Sequence, residues 1–313
     1  MSEFFSLYPD EASCKAFFKE RQSKKAMICD VCESLCHYWI EKESRWKCKH
    51  CGKSRSLKSG TVMENSNLGY KIWLWGFFLM SLTKKGFSAL ELQRLIGHKR
   101  YEPIWLMMQK IRISMGHRDD IYKLEEFVEM DEGFFEGHRK KENEDNPANT
   151  VKELDRQVKA IVAVSAKPVS QDKQKKKRPD SKPCFVKMSV VSSLCNKEVA
   201  CEARKMIHKS ATVITDGRRC YSGLKEICAV HKAIVVKDKK EVSKVFPWVH
   251  IAISNAKKKI LGLHHQVKDD YMQNYLNEFC YKFNRRYFGQ QLFDKLLVAT
   301  LSNPWYKPFP NSG

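Results

Sequence analysis

Phe127-Val-Glu-Met-Asp-Glu-Gly-Phe-Phe-Glu136 is the stretch whose reading decides the fold. Apolar residues alternate with acids, the period-two pattern of a half-buried strand, so Glu129 and Asp131 fall on one face and Glu132 on the other. Two more strand-like runs follow at Val158 to Val164 and Cys184 to Val191, and three strands in succession predict a meander. Downstream, a helix is expected from Lys197 to His208, a short buried strand at Ala211 to Asp216, a helix across Tyr221 to Cys228 and a strand at Ala233 to Val236.

The order βββαβαβ followed by helices is the chain order of a ribonuclease-H-like domain, a mixed sheet with helices on both faces. It is expected over 121–290. Two polar inserts interrupt it, His138 to Lys152 and Ser170 to Pro183; the latter contains QDKQKKKRPDSK and belongs to a basic insert over 166–183. Both read as solvated loops, with DNA gripping as the less favoured reading. Residues 291–313 read as a C-terminal tail.

Upstream, Cys29-x2-Cys32-x15-Cys48-x2-Cys51 sets two CxxC knuckles a hairpin's length apart. Four thiolates at this spacing complete the tetrahedron of a structural Zn2+ site, and the segment between alternates like a strand pair, so 26–60 reads as a zinc ribbon. Cys36, His37 and His50 are nearby substitute ligands whose spacing fits less well. Residues 1–25 read as a helical lead. Within 61–120, YKIWLWGFFLM from Tyr70 is apolar nearly all round, as a buried helix requires. Ser88 to Glu91 supplies a capping box, Gly97 ends that helix, and another runs from Tyr101 to Met115. Helix, turn and helix have helix-turn-helix spacing, with Lys99, Arg100 and Arg112 as DNA-contact candidates; a packing module without DNA contact is the plainer alternative.

The chain has 57 Lys+Arg against 36 Asp+Glu, a formal charge of +21, which points to a polyanion such as double-stranded DNA. No segment resembles a signal peptide, and the run from Ile72 to Leu82 is too short to span a bilayer. The remaining cysteines read as reduced thiols of a cytoplasmic, nucleoid-associated protein of prokaryotic type. The overall expectation is an α/β (α+β) multidomain chain: zinc ribbon, helix-turn-helix-like segment and ribonuclease-H-like mixed-sheet domain. No phosphate-binding loop of an ATPase or dinucleotide enzyme is present.

Asp131 and Asp216 each follow an apolar strand. Carboxylates at adjacent strand ends can share Mg2+ or Mn2+ ions for phosphodiester chemistry, whereas either motif alone reads as easily as a turn.

The zinc ribbon, VEMDEGFFEG, VITDG, PWVHIAISNAKKKILGLHHQV and YLNEFCYKFNRR, in this order, resemble the ISXO-like insertion-sequence transposases over nearly the whole chain. The resemblance implies a DDE-superfamily catalytic domain that cuts transposon ends and joins them to target DNA with Mg2+. It implies the first two acids at Asp131 and Asp216. The third position varies in the family between Glu, Asn and His, and Asn255 is placed there first. His250 competes as a nitrogen ligand, and one of Lys257, Lys258 or Lys259 would touch a phosphate, with Lys258 one turn from Asn255. Arg285 and Arg286 are further candidates for backbone phosphates, and a dimer or larger assembly on DNA is expected from the need to hold two ends. The competing readings are a non-catalytic DNA-binding relic of such an element and a ribonuclease-H-like nuclease.

Overall fold

A computed structural model describes residues 2–24, 27–138, 157–168, 181–235, 245–264 and 267–307. The expected polar inserts lie outside the described residues over 139–152 and 170–180, as does His265. The chain divides into two compact units, residues 1–114 with 289–308, and a second centred on residues 115–288.

The first unit begins with α1 (Ser2–Leu7) and α2 (Glu11–Ser23), followed by β1 (His37–Ile40), β2 (Arg45–Cys48) and β3 (Ser54–Ser56) in one antiparallel sheet. Three helices come next: α3 (Tyr70–Leu82), α4 (Ala89–Ile96) and α5 (Tyr101–Asp120). As its composition requires, α3 is central, burying Trp73, Leu74, Phe77, Leu79 and Met80. Its N-cap Gly69 has no side chain to offer, and Glu11 of α2 accepts from the amides of Tyr70 (2.6 Å) and Lys71 (2.9 Å) instead. The Ser88–Glu91 capping box opens α4 as expected.

In the second unit, β4 (Phe127–His138), β5 (Gln157–Pro168) and β6 (Ser181–Val191) form the antiparallel meander. After α6 (Asn196–Met206), β7 (Thr212–Thr215) pairs in parallel with β4, and β8 (Val230–Ala233) in parallel with β7. The spatial order is β6-β5-β4-β7-β8, with α7 (Pro247–Leu263), β9 (Val267–Lys268) and α8 (Asp269–Asn284) following, and β9 beside the far end of β4. Helices α7 and α8 cover one face, burying Val249, Ala252, Ala256, Met272 and Leu276 against Ala160, Val162 and Val164. Helix α6 and a 3-10 helix at Arg219–Glu226 cover the other, against Ile161 and Ala163. Strand β5 is therefore buried on both sides, which is why Ala160 to Val164 reads as a continuous apolar run. Each fully buried Val or Ile there contributes about 1.5–3 kcal/mol. This is the mixed, doubly covered sheet of the ribonuclease-H-like expectation.

Two details differ from the sequence reading. The last strand of the sheet is Val230–Ala233 rather than 233–236, because Thr212 pairs with Val230 and the amide of Ile234 already closes on the Thr215 carbonyl at 2.9 Å. Residues 221–228 are mainly in the 3-10 helix rather than an α-helix. Beyond residue 291, in the expected tail, α9 (Leu292–Leu301) returns to the first unit, burying Leu296 and Leu297, with Val62 donating its amide to Thr300 at 2.8 Å. No helix among the described residues is long and apolar enough to cross a membrane.

Two candidate metal centres

The ribbon places four sulfurs together. Cys29 and Cys51 Sγ lie 3.5 Å apart, Cys32 and Cys48 Sγ 3.6 Å apart, and all four lie within 4.8 Å of one another. A tetrahedron with metal–sulfur bonds of about 2.3 Å has edges of about 3.8 Å, so the set could hold Zn2+. The knuckles are built alike: Glu33 and Gly52, each following the second cysteine of its pair, adopt left-handed φ of 56° and 74°, and their amides reach back to the Cys29 and Cys48 carbonyls at 2.9 and 3.1 Å. The turn also aims amides at sulfur. Hydrogen bonds from the Cys51 and His50 amides hold the Cys48 thiol down to about 6, and those of Val31 and Cys32 lower Cys29. Cys32, although the Ser34 amide pulls it down, is pushed up to about 12 by burial and its sulfur neighbours. Cys36, His37 and His50 stand outside the four-sulfur set.

The second centre lies at the C-terminal end of β7. Val128 pairs with Val213 and Glu129 with Ile214; continued two residues further, this register sets Asp131 opposite Asp216. Asp131, Glu132 and Asp216 each offer an oxygen within 4.8 Å of the others. Glu132 points to the opposite face of β4, as alternation requires, but its buried carboxylate still reaches the pair. It accepts from Arg218 Nη1 at 2.9 Å and from the Cys220 thiol at 3.3 Å. Gly217, at φ +82°, turns the chain so that Arg218 folds back with its Nε 3.0 Å from Asp216 Oδ2. One guanidinium thus faces three carboxyl groups. Burial, then the bond to Glu132 and the charges of Glu132 and Asp216, push Asp131 up to about 7 despite an amide bond from Glu132.

His250, on the first turn of α7, stands beside the cluster. Its Nδ1 stands 3.6 Å from Asp131 Oδ2, too long for a hydrogen bond and close enough to share an ion. Its Nε2 is buried with no hydrogen-bond partner among the described residues. Burial lowers the His250 pKa, which favours the neutral, metal-binding ring. A crowded set of hard oxygens fits Mg2+ or Mn2+, and the His250 Nδ1 beside Asp131 would favour Mn2+. Asn255 is on the same helix but five residues on, roughly 140° around its axis from His250, and is exposed. Lys257 follows His250 by two turns on nearly the same side, Lys258 is exposed, and Lys259 is held by Glu278 at 3.3 Å.

Several cations read as DNA contacts are structural instead. Arg112 is 1 % exposed within α5, whose residues from Met107 to Arg112 are all buried, so only the first turns of that helix face outward. Arg285 donates to Asp119 at 2.6 Å with its side chain 12 % exposed. Arg286 is occupied by the carbonyls of Pro183, Cys184 and Phe283. Lys259, paired within the core, is likewise corrected. Lys99 and Arg100 are exposed, beside a His98 ring that folds onto the Arg100 backbone. Sequence reasoning missed Glu132 and Arg218 because nothing local marks a side chain that reaches around a strand edge.

Residues 123–284 match the ISXO2-like transposase domain, a span that contains β4 to α8 and every member of the acid centre. No curated protein matches the chain.

Proposed function

Because the chain belongs to the ISXO2-like transposase family, we propose that it is a DNA transposase that binds the terminal inverted repeats of an insertion sequence and catalyses their cleavage and strand transfer. The observation that supports this most is the meeting of Asp131 on β4, Asp216 just past the end of the adjacent parallel β7 and His250 on the first turn of α7. These three would hold Mg2+ or Mn2+, which would supply activation of the attacking oxygen and charge stabilisation of the leaving 3′ oxygen. Burial and the neighbouring acids raise the Asp131 carboxyl to about 7, so a cation binding there below neutrality would have to displace a proton. His250 takes the third place in preference to Asn255. Arg218 balances the surplus charge of Glu132 and Asp216, and must loosen its hold on Asp216 for that oxygen to turn inward. Lys257 and Lys258 extend from the same helix toward the phosphates of a bound end.

The four-cysteine ribbon carries structural Zn2+, and Lys99 and Arg100 with the start of α5 contribute to duplex binding. Two ends must be held together for transposition, so the working form is a dimer or larger on DNA.

The test is strand transfer of a pre-cleaved inverted-repeat end in Mg2+ or Mn2+, comparing the native chain with Asp131→Ala, Asp216→Ala, His250→Ala and Asn255→Ala. Transfer that disappears with the two aspartate variants, falls with His250→Ala and persists in Asn255→Ala supports the assignment. Salt-sensitive binding of the end without any transfer by the native chain would replace it with a DNA-binding relic.

A further inference from the structure

Helix α7 begins with Pro247, which has no amide hydrogen, and its N-cap Phe246 offers no side-chain acceptor. The next amides, of Trp248 and Val249, therefore need a partner from elsewhere. Both find the same atom: Glu129 Oε2 accepts from Trp248 at 2.8 Å and from Val249 at 2.9 Å. Glu129 is 8 % exposed, lies in the middle of the sheet on β4, and precedes Asp131 by two residues on the same face. A carboxylate there also meets the positive end of the helix dipole. His250 is the residue immediately after Val249.

We propose that Glu129 is a positioning residue that fixes the first turn of α7 to β4 and thereby sets His250 against Asp131. This rests on the reading of His250 as a member of the metal site. A single strand then fixes two members of the centre, Asp131 through its backbone and His250 through the Glu129 side chain. A second anchor, Trp248 Nε1 to Ser181 Oγ on β6 at 2.7 Å, limits rotation of the same turn but lies two strands away from β4. It cannot replace the tie to β4.

The test uses the full chain and Mn2+ as probe, reading broadening of the His250 ring signals by NMR and Mn2+ affinity by calorimetry. In the native chain Mn2+ broadens the ring. Glu129→Gln, which keeps the oxygen and the shape, retains this behaviour. Glu129→Ala loses the broadening and weakens Mn2+ binding about 10–100-fold, the range for residues that orient a ligand. In a His250→Ala background the same substitution has no further effect, because its influence passes through the ring. A full additional loss in that background overturns the proposal, as does native affinity in Glu129→Ala. Should Glu129→Ala fail to fold, Glu129→Asp, shorter by one methylene, is expected to give an intermediate loss, and native affinity there overturns it equally. If His250→Ala itself leaves Mn2+ binding unchanged, the reading of the site fails; if only the Glu129 variants do so, that reading stands and this inference falls.

Discussion

The four cysteines lie between Cys29 and Cys51 and are gathered by two similar turns and three short strands, whereas the acid centre draws Asp131 and Glu132 from β4, Asp216 from the end of β7 and His250 from α7. The first arrangement is local. Its ligands converge because each knuckle bends at a left-handed residue, and hydrogen bonds from its own amides lower the pKa of two of the thiols. The second depends on the whole second unit, since a strand register and a helix docking must both be correct before the ligands meet. It gathers repelling charges in a partly buried place, which raises Asp131 to about 7. A local centre would gain its order from a metal; a dispersed one is ordered by the fold, and its gathered charges would be relieved by a cation.

Removing zinc separates the two most strongly. Structural zinc in small modules is bound with about 10–16 kcal/mol, more than three short strands can supply by packing. Chelation, or Cys48→Ser, is expected to abolish hydrogen-exchange protection at the Cys48 and Gly52 amides and leave Ile161 to Val164 of β5 protected. Loss of protection in β5 as well would mean that the second unit is not independently ordered.

Asp131→Asn acts in the opposite sense on stability, and Asp216→Asn shares its effect on activity. Each is expected to lower strand transfer on the order of 10³-fold or more, as loss of a member of a catalytic unit does. Asp131→Asn should nonetheless raise the melting temperature of the metal-free protein above pH 7, because it removes a charge that burial and its neighbours disfavour. A lower melting temperature would show that Asp131 is needed for the fold and would erase the contrast with Cys48→Ser.

The metal preference is a finer probe. His250→Ala is expected to reduce Mn2+-supported transfer about 10–100-fold. His250→Glu, by supplying a hard oxygen, should shift the preference from Mn2+ toward Mg2+. An unchanged ratio of Mg2+ to Mn2+ activity in His250→Glu would place the ring outside the coordination sphere.

Acidity gives a smaller effect with a definite sign. The folded, metal-free protein keeps the Asp131 proton up to about pH 7, whereas the ordinary value is 3.8. The stability associated with that extra proton is present in full below about pH 4 and is lost as pH rises to 7, by up to about 1.4 kcal/mol per unit. Metal must displace the same proton, so Mn2+ affinity should climb up to about tenfold per pH unit below 7 and level off above it. Calorimetric titrations from pH 5.5 to 8 read both slope and plateau; an affinity independent of pH would exclude a protonated Asp131.

What could be read from the chain follows the same division. The zinc-site spacing is contained in 29–51, and the meander shows in the alternation of 127–136 and the apolar run of β5, because each pattern reflects its own backbone. Partners remote in sequence left no such mark. Arg285 looks like a surface cation until Asp119 is brought beside it, and Arg112 until the fold leaves it 1 % exposed. The position of β8 depended on the register with β7, not on the greater apolarity of 233–236. The helical phase of α7 is the sharpest case, because spacing identifies neither His250 nor Asn255 as inward-facing until Glu129 fixes the first turn.

Asn255→Ala accordingly carries the smallest expected effect, less than about threefold on strand transfer, and is the most direct check on that phase. A surface substitution of this kind costs within about 0.5 kcal/mol when it touches no special feature. Asn255 is exposed, while Val249, Ala252, Ile253, Ala256 and Ile260 define the buried side of the same helix. Turning α7 far enough to bring Asn255 to Asp131 would take His250 away from it and move Ala252 and Ala256 out of the core. The two residues therefore cannot serve the centre together. A loss of 100-fold or more in Asn255→Ala, with His250→Ala near native, would require the helix to be rotated in the active complex and the bonds of Glu129 to Trp248 and Val249 to be broken there.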